Sequence, residues 1–110
     1  MAGIAKKSFD DPDDTIETEH GRMKVVRVED QDVWRSEFTP GWSWDDDLSP
    51  LAGGVGSCQL THREYVVAGR IRYVMDDGSE TVGEPGDYLL IRPGHRGWVV
   101  GDANCVLIDW

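Results

Sequence analysis

Residues 64–78 read EYVVAGRIRYVMDDG and residues 84–95 read EPGDYLLIRPGH, and together these two segments decide the fold. In the first segment, every second side chain from Ile71 to Met75 falls on one face of an extended chain. A period of two is typical of a strand with one buried face. The dipeptide Asp77-Gly78 follows at once and predicts a tight hairpin turn, because glycine tolerates the positive φ that such turns need. The pattern therefore indicates antiparallel strands.

The rest of the chain repeats this rhythm of strand and turn. Residues 23–28 (MKVVRV) and 33–38 (VWRSEF) predict two earlier strands, and residues 104–109 (NCVLID) predict a last one. Dipeptides of proline and glycine separate several of these segments. Short strands at this spacing are typical of a sandwich or barrel. The 110 residues allow one hydrophobic core, so we predict a single all-β domain.

The charge of the chain limits its partners. Twenty-one acidic residues against 11 basic ones give a formal net charge of −10. Such a surface repels phosphate, so we expect no nucleic-acid partner. No apolar run approaches the ~20 residues of a membrane-spanning helix, and the first residues lack the apolar core of a secretory signal. We therefore expect a cytoplasmic protein with no membrane partner. High-salt adaptation and ordinary acidic loops would both explain the excess of acids.

The chain divides into an acidic segment and a barrel domain. Residues 1–20 contain DDPDD (10–14) and few large apolar side chains. Because such a segment buries too little surface to offset its ordering entropy, we predict that residues 1–20 form a flexible tail. Residues 21–110 then form the β-barrel domain.

A long connection follows the second predicted strand. Residues 40–57 read PGWSWDDDLSPLAGGVGS. Long loops in compact domains are often functional or mobile, so this segment could be a lid with Trp42 or Trp44 at the entrance of a binding site. Alternatively, the two tryptophans close the end of the barrel, and Asp45 to Asp47 are simply solvated.

The two quoted segments resemble the core of a small cupin, a jelly-roll barrel also called a double-stranded β-helix. Residues 66–69 (VVAG) resemble the end of that family's first motif, and residues 86–95 resemble the second. The likeness covers roughly residues 20–110. It implies a small-molecule ligand and a homodimer formed by strand pairing or by the N-terminal segment. It leaves the activity open, because one fold hosts many functions, and cupins include isomerases, dioxygenases, lyases, storage proteins and sensors.

The resemblance also implies where a metal would bind. Metal-binding cupins usually use three histidines and a glutamate. Aligned on residues 66–69, the first two histidine positions hold Gly56 and Cys58, and the glutamate position holds His62. The third histidine position falls on Gly97, with His95 two residues earlier. The usual ligand set is therefore missing.

Three residues keep the side-chain parity of those ligand positions, namely Cys58, His62 and His95. One thiolate and two imidazoles form a possible ligand set for Zn²⁺, and Fe, Mn or Ni are further candidates. Four residues of straight strand span about 13 Å, so Cys58 and His62 can share an ion only if the chain bends at Leu60-Thr61. Two alternatives remain open: a buried polar cluster without metal, or a nucleophilic Cys58 activated by His62, for which the sequence shows no third orienting group.

The same parity predicts that Tyr73 and Met75 face inward and line any cavity in the barrel. If the barrel is hollow, its lining would suit a small, partly apolar ligand and would consist of Trp34, Phe38, Tyr73, Met75 and Trp98, with Trp42 or Trp44 at the entrance. The sequence thus favours a small-molecule-binding cupin with an optional divalent metal. The alternative is a metal-dependent cupin enzyme of isomerase, lyase or dioxygenase type.

Overall fold

The computed structural model describes residues 3–110, so the first two residues of the predicted N-terminal tail lie outside the described part. Within residues 3–110 the chain forms nine strands: β1 (Asp14–Thr18), β2 (Gly21–Val28), β3 (Gln31–Phe38), β4 (His62–Ala68), β5 (Arg70–Met75), β6 (Glu80–Gly83), β7 (Tyr88–Ile91), β8 (His95–Val100) and β9 (Cys105–Asp109). A π-helical turn (Trp44–Leu48) and a 3-10 turn (Ser49–Ala52) lie between β3 and β4. The predicted all-β, single-domain jelly roll is confirmed.

The strands form two antiparallel sheets. One has six strands in the order β1-β2-β3-β9-β4-β7, and the other has three in the order β6-β5-β8. The last strand, β9, lies between β3 and β4, so the chain's end is central in the larger sheet. The core lies between the sheets, and Ile71, Val66 and Cys105 are fully buried there. No helix among residues 3–110 is long and apolar enough to cross a membrane.

Gly69 is the corner at which the chain passes from one sheet to the other. It is the single residue between β4 and β5, and its φ is +71°. A Cβ at this position would clash with the carbonyl oxygen of Asn104. Glycine is required here both for the positive φ and for the close approach of the two backbones. The corner sets β4 and β5 on opposite walls of the barrel.

β1 lies inside the segment 1–20, where the sequence indicated no strand. Its register with β2 places Ile16 opposite Met23 and Thr18 opposite Gly21. The strand DTIET is acidic and half-exposed, so pairing with β2 rather than burial accounts for its conformation. The division of the chain at residue 20 stays a prediction.

Candidate functional site

The structure brings Cys58, His62 and His95 together inside the barrel. One ligand atom from each lies within 4.8 Å of the other two, and Cys58 Sγ is 3.5 Å from His62 Nε2. Cys58 forms an isolated antiparallel bridge with His95, whose carbonyl oxygen accepts the Cys58 N–H at 2.7 Å. The chain bends at Leu60, and β4 begins only at His62. The bend that a shared ion requires is therefore present.

The Nδ1 atoms of both histidines are held by partners outside the Cys58, His62 and His95 cluster. His62 Nδ1 is 2.7 Å from Asp109 Oδ2, and His95 Nδ1 is 2.7 Å from the carbonyl oxygen of Arg92. A carbonyl oxygen can only accept, so His95 donates from Nδ1, and its Nε2 keeps a lone pair when the ring is neutral. A carboxylate that fixes the ring of a metal-ligating histidine is a common outer-shell arrangement. Asp109 is therefore part of this site.

The Cys58 thiol and the His62 imidazole shift each other's pKa. Burial raises the pKa of the Cys58 thiol, but hydrogen bonds with His62 and His95 outweigh burial and lower that pKa to about 6. Burial lowers the pKa of His62, but Asp109 and Cys58 raise it more strongly, to about 10. At neutral pH without a metal, Cys58 is accordingly a thiolate beside an imidazolium. Asp109 also supplies the orienting group that the nucleophile hypothesis lacked.

The second cysteine differs sharply in its surroundings. Cys105 is completely buried, and burial followed by the charge of Glu64 raises the pKa of its thiol to about 12. Both cysteines are free thiols. Cys105 therefore acts as a small apolar core residue, and it provides a matched comparison for Cys58.

A buried carboxyl lies next to the histidine pair. Glu64 is 3% exposed and accepts a hydrogen bond from the Tyr73 hydroxyl. Ligand atoms of His62, Glu64 and Asp109 also lie within 4.8 Å of one another. Burial is the largest cause that raises the pKa of Glu64, to about 7, and it also raises the pKa of Tyr73 well above 10. The sequence analysis missed Glu64 and Asp109, although the inward parity of Glu64 with His62 and Val66 was readable from β4.

Three of the aromatic side chains expected at the ligand site are packed into the core. Phe38 and Trp42 stack with centroids 3.9 Å apart, and together with Trp44 they are buried in the core, whereas Trp34 is half-buried. This packing supports the barrel-closing interpretation of the two loop tryptophans. Their roles in ligand binding stay predictions.

Tyr73 and Met75 face inward, as their parity indicates, and they line a pocket of about 380 Å³ at the side of the barrel. Ile91 and Arg92 belong to the same lining. The Tyr73 ring contacts His95 edge-on at a centroid distance of 5.8 Å. Tyr73 therefore lines the pocket and also contacts His95, one of the candidate metal ligands.

The expectation that Trp98 faces inward is wrong. Trp98 is 37% exposed, while its neighbours Gly97 and Val99 are buried, so alternation along β8 directs Trp98 away from the core. Arg72 from the paired strand lies over its ring at 6.0 Å. The inward position that the sequence analysis gave to Trp98 is taken by Gly97, which leaves room for the Tyr73 ring.

Asp47 is likewise not a solvated loop residue. Its side chain is fully buried and accepts hydrogen bonds from Thr18 Oγ1 at 2.8 Å, the His20 N–H at 2.9 Å and the Ser43 N–H at 3.2 Å. Burial raises the pKa of Asp47, but these hydrogen bonds outweigh it and hold that pKa below 3.8. The carboxylate fastens the tryptophan loop to the end of β1.

Comparisons with known proteins find similarity in structure alone. No protein-family model matches the sequence, and no curated protein matches it significantly. The polyketide cyclase RemF from Streptomyces resistomycificus superposes with a TM-score of 0.65 at 16% identity, covering 96% of this chain and 77% of that one. A cupin-2 domain protein from Rhodospirillum rubrum gives 0.60 at 14% identity, covering 96% and 65%. Oxalate decarboxylase gives 0.60 at 18% identity, covering 87% of this chain and 27% of its own. These similarities show the fold.

Proposed function

We propose that this chain, which has the cupin fold, binds one divalent metal ion at Cys58, His62 and His95 and a small organic molecule beside it. One observation carries this proposal. A sulfur and two imidazole nitrogens lie within 4.8 Å of one another, and the Nδ1 atoms of both rings are already engaged elsewhere. A thiol and two imidazoles this close together, with outside partners on both Nδ1 atoms, offer three donors of the kinds that hold zinc, and this supports the proposal.

Zinc suits this donor set best. In a tetrahedral zinc site with bonds of about 2.0–2.3 Å, the ligand atoms lie roughly 3.3–3.8 Å apart. The 3.5 Å between Cys58 Sγ and His62 Nε2 falls in that range, and the ligand atom of His95 lies within 4.8 Å of the other two. Soft thiolate ligands favour zinc over magnesium, calcium or manganese. Three protein ligands leave a fourth position for water or a ligand, as in catalytic rather than structural zinc sites.

The neighbouring pocket supports binding of a small molecule. Its volume of about 380 Å³ lies within the usual range for small-ligand sites. Tyr73 and Met75 give it an apolar wall, and the charged residues of its lining are Arg92, Asp77 and Glu80. A ligand with an apolar body and a neutral polar group, such as a carbonyl or a hydroxyl, fits this chemistry.

The second candidate is a metal-dependent cupin enzyme acting on a small organic substrate. Glu64 favours it, because a buried carboxyl that accepts a hydrogen bond from the Tyr73 hydroxyl, close to His62, is the type of group that enzymes use as a general acid or base. A bound metal would supply Lewis acidity to either candidate. The isomerase, lyase and dioxygenase types stay open.

The metal content of protein prepared without a histidine tag tests the proposal. We expect one ion per chain in the wild type and in Cys105→Ala, and a large loss in Cys58→Ala. Both variants remove one thiol, so the pair isolates the position of the sulfur. Wild-type protein that takes up no ion even when titrated with zinc would contradict the proposal, as would equal binding by the two variants.

Thermal-shift screening with small ketones and alcohols then separates binder from enzyme. A ligand that binds only the folded state stabilises it by RT ln(1 + L/Kd), where L is the free ligand concentration, so Tm rises with the logarithm of that concentration once it exceeds Kd. A Tm increase without chemical change of the ligand supports the binding protein. Conversion that is lost in Glu64→Gln supports the enzyme. A cytoplasmic location, in which both thiols stay reduced, belongs to the same proposal.

A further inference from the structure

Cys58 lies at the edge of the barrel, within reach of small molecules from the solvent. The residue is 9% exposed, and residues 59–61, which follow it, are all exposed. The side chain of His62, which contacts the sulfur, is 26% exposed. A small uncharged molecule can therefore approach the cluster of Cys58, His62 and His95 from the side of residues 59–61.

The Cys58 sulfur is the most easily oxidised of the three candidate ligands. Cys58 Sγ lies 3.5 Å from His62 Nε2, and a ligand atom of His95 lies within 4.8 Å of both. A thiol that coordinates a metal ion is held as the thiolate, and the thiolate is the form of cysteine that oxidants attack. Oxidation is thus directed to one defined position of the ligand set.

Cys105 provides an inert comparison in the same chain. It is 0% exposed and belongs to the core cluster that also contains Val66, Ile71 and Leu107. Both cysteines are free thiols. Because susceptibility to oxidation follows thiolate character and exposure, the chain combines one reactive thiol with one protected thiol.

We propose that Cys58 is a site of reversible oxidation by hydrogen peroxide and that this oxidation releases the metal ion. The inference rests on the proposed function, because it requires an ion bound at Cys58, His62 and His95. The sulfur lone pair attacks one peroxide oxygen, so that an S–O bond forms, the O–O bond breaks and the second oxygen leaves as hydroxide. The sulfur is oxidised by two electrons to a sulfenic acid, and the peroxide is reduced.

Oxidation of Cys58 removes the anionic ligand of the site. The sulfenic acid is neutral, and only the two imidazoles of His62 and His95 remain to hold the ion. Zinc sites in proteins use three or four protein ligands, so the ion dissociates. Two molecules of a small thiol restore the site: the first forms a mixed disulfide with Cys58 and expels water, and the second frees the Cys58 thiol and leaves as part of a disulfide.

Zinc release during the addition of micromolar hydrogen peroxide tests this inference. We expect zinc-loaded wild-type protein to release about one ion per chain to a chromogenic chelator. Mass spectrometry after trapping with dimedone should place the sulfenic acid at Cys58 and leave Cys105 unmodified. After peroxide is removed with catalase, reduced glutathione should restore zinc binding.

Two variants control for the position and the chemistry of the sulfur. Cys105→Ala should release zinc like the wild type. Cys58→Asp replaces the thiolate with a carboxylate, which zinc also accepts and which peroxide does not oxidise, so this variant should keep its ion. The location of the modification is measured on wild-type protein and does not depend on the affinity of Cys58→Asp.

The outcomes separate this inference from the proposed function. Wild-type protein that binds zinc but keeps it in peroxide, or that loses it without modification of Cys58, would overturn the inference and leave the metal site standing. Equal release from zinc-loaded Cys58→Asp would also overturn it. A wild type that takes up no zinc would overturn both the inference and the proposed metal site.

Discussion

The Nδ1 atom of His62 lies 2.7 Å from the Oδ2 atom of Asp109, 47 residues later in the chain. The two residues meet because β4 pairs with β9, with Glu64 opposite Asp109 in the register. Asp109 fixes the His62 ring with its Nε2 toward Cys58 Sγ. This hydrogen bond therefore sets the orientation of the His62 ring in the cluster of Cys58, His62 and His95.

Replacing Asp109 should weaken metal binding without removing a ligand. Loss of an outer-shell carboxylate typically lowers metal affinity about 10- to 100-fold. We expect that decrease for Asp109→Asn in a competition titration against a chromogenic chelator. Asp102→Asn, at an exposed turn, is the control and should bind like the wild type. Unchanged affinity in Asp109→Asn would exclude a positioning role.

The two cysteines should titrate very differently in metal-free protein. The pKa values are about 6 for Cys58 and about 12 for Cys105. The ultraviolet absorbance of thiolate should therefore rise through pH 6 in the wild type and in Cys105→Ala. The Cys58→Ala variant should lack this step. A wild-type transition near pH 9 would show that the histidines do not stabilise the thiolate.

Glu64 should make the folded state less stable as the pH rises. Its pKa is raised from 4.5 to about 7 in the fold, so its contribution is fully present below pH 4.5 and is lost as the pH rises through 7. The full loss corresponds to roughly 3 kcal/mol. Urea unfolding at several pH values should show this slope in the wild type and a flatter profile in Glu64→Gln. Parallel profiles for the two proteins would contradict the prediction.

Asp47 should contribute far more to stability than its neighbours in the DDD triplet. Replacing it with alanine leaves buried donors from Thr18, His20 and Ser43 without an acceptor, at a cost of about 2–4 kcal/mol. The exposed Asp46→Ala is the control and should change stability by less than about 0.5 kcal/mol. Because the pKa of Asp47 is lowered, its contribution is present above pH 3.8 and is lost as the pH falls through the folded-state pKa. Equal destabilisation by the two variants would show that the buried Asp47 carboxylate does not hold the tryptophan loop against the end of β1.

Most of the fold could be predicted from local sequence patterns. Antiparallel strands were predicted from the alternation along residues 71–75 and from the glycine-containing turns. Side-chain parity predicted that Cys58, His62 and His95 point to the same side of the sheet. Trp98 was misplaced although its parity is opposite to that of His95 on the same strand, so simple alternation along β8 already directs it outward. β1 was missed because four of its five residues are polar and its conformation depends on pairing with β2.

The remaining site residues depend on contacts between distant segments. Asp109 reaches His62 through a strand pairing that local periodicity does not indicate. Asp47 is chemically identical to Asp45 and Asp46, and only the fold of the π-helical turn separates the buried carboxylate from the exposed ones. Sequence patterns therefore indicate the three candidate ligands, whereas the residues that orient them can be identified only from the structure.

X-ray absorption at the zinc K-edge tests the central claim most directly. For zinc-loaded protein we predict one sulfur neighbour at about 2.3 Å and two imidazole nitrogens at about 2.0–2.1 Å. The sulfur contribution should disappear in Cys58→Ala and persist in Cys105→Ala. A first shell without sulfur in the wild type, or one that Cys58→Ala leaves unchanged, would contradict a metal site at Cys58, His62 and His95.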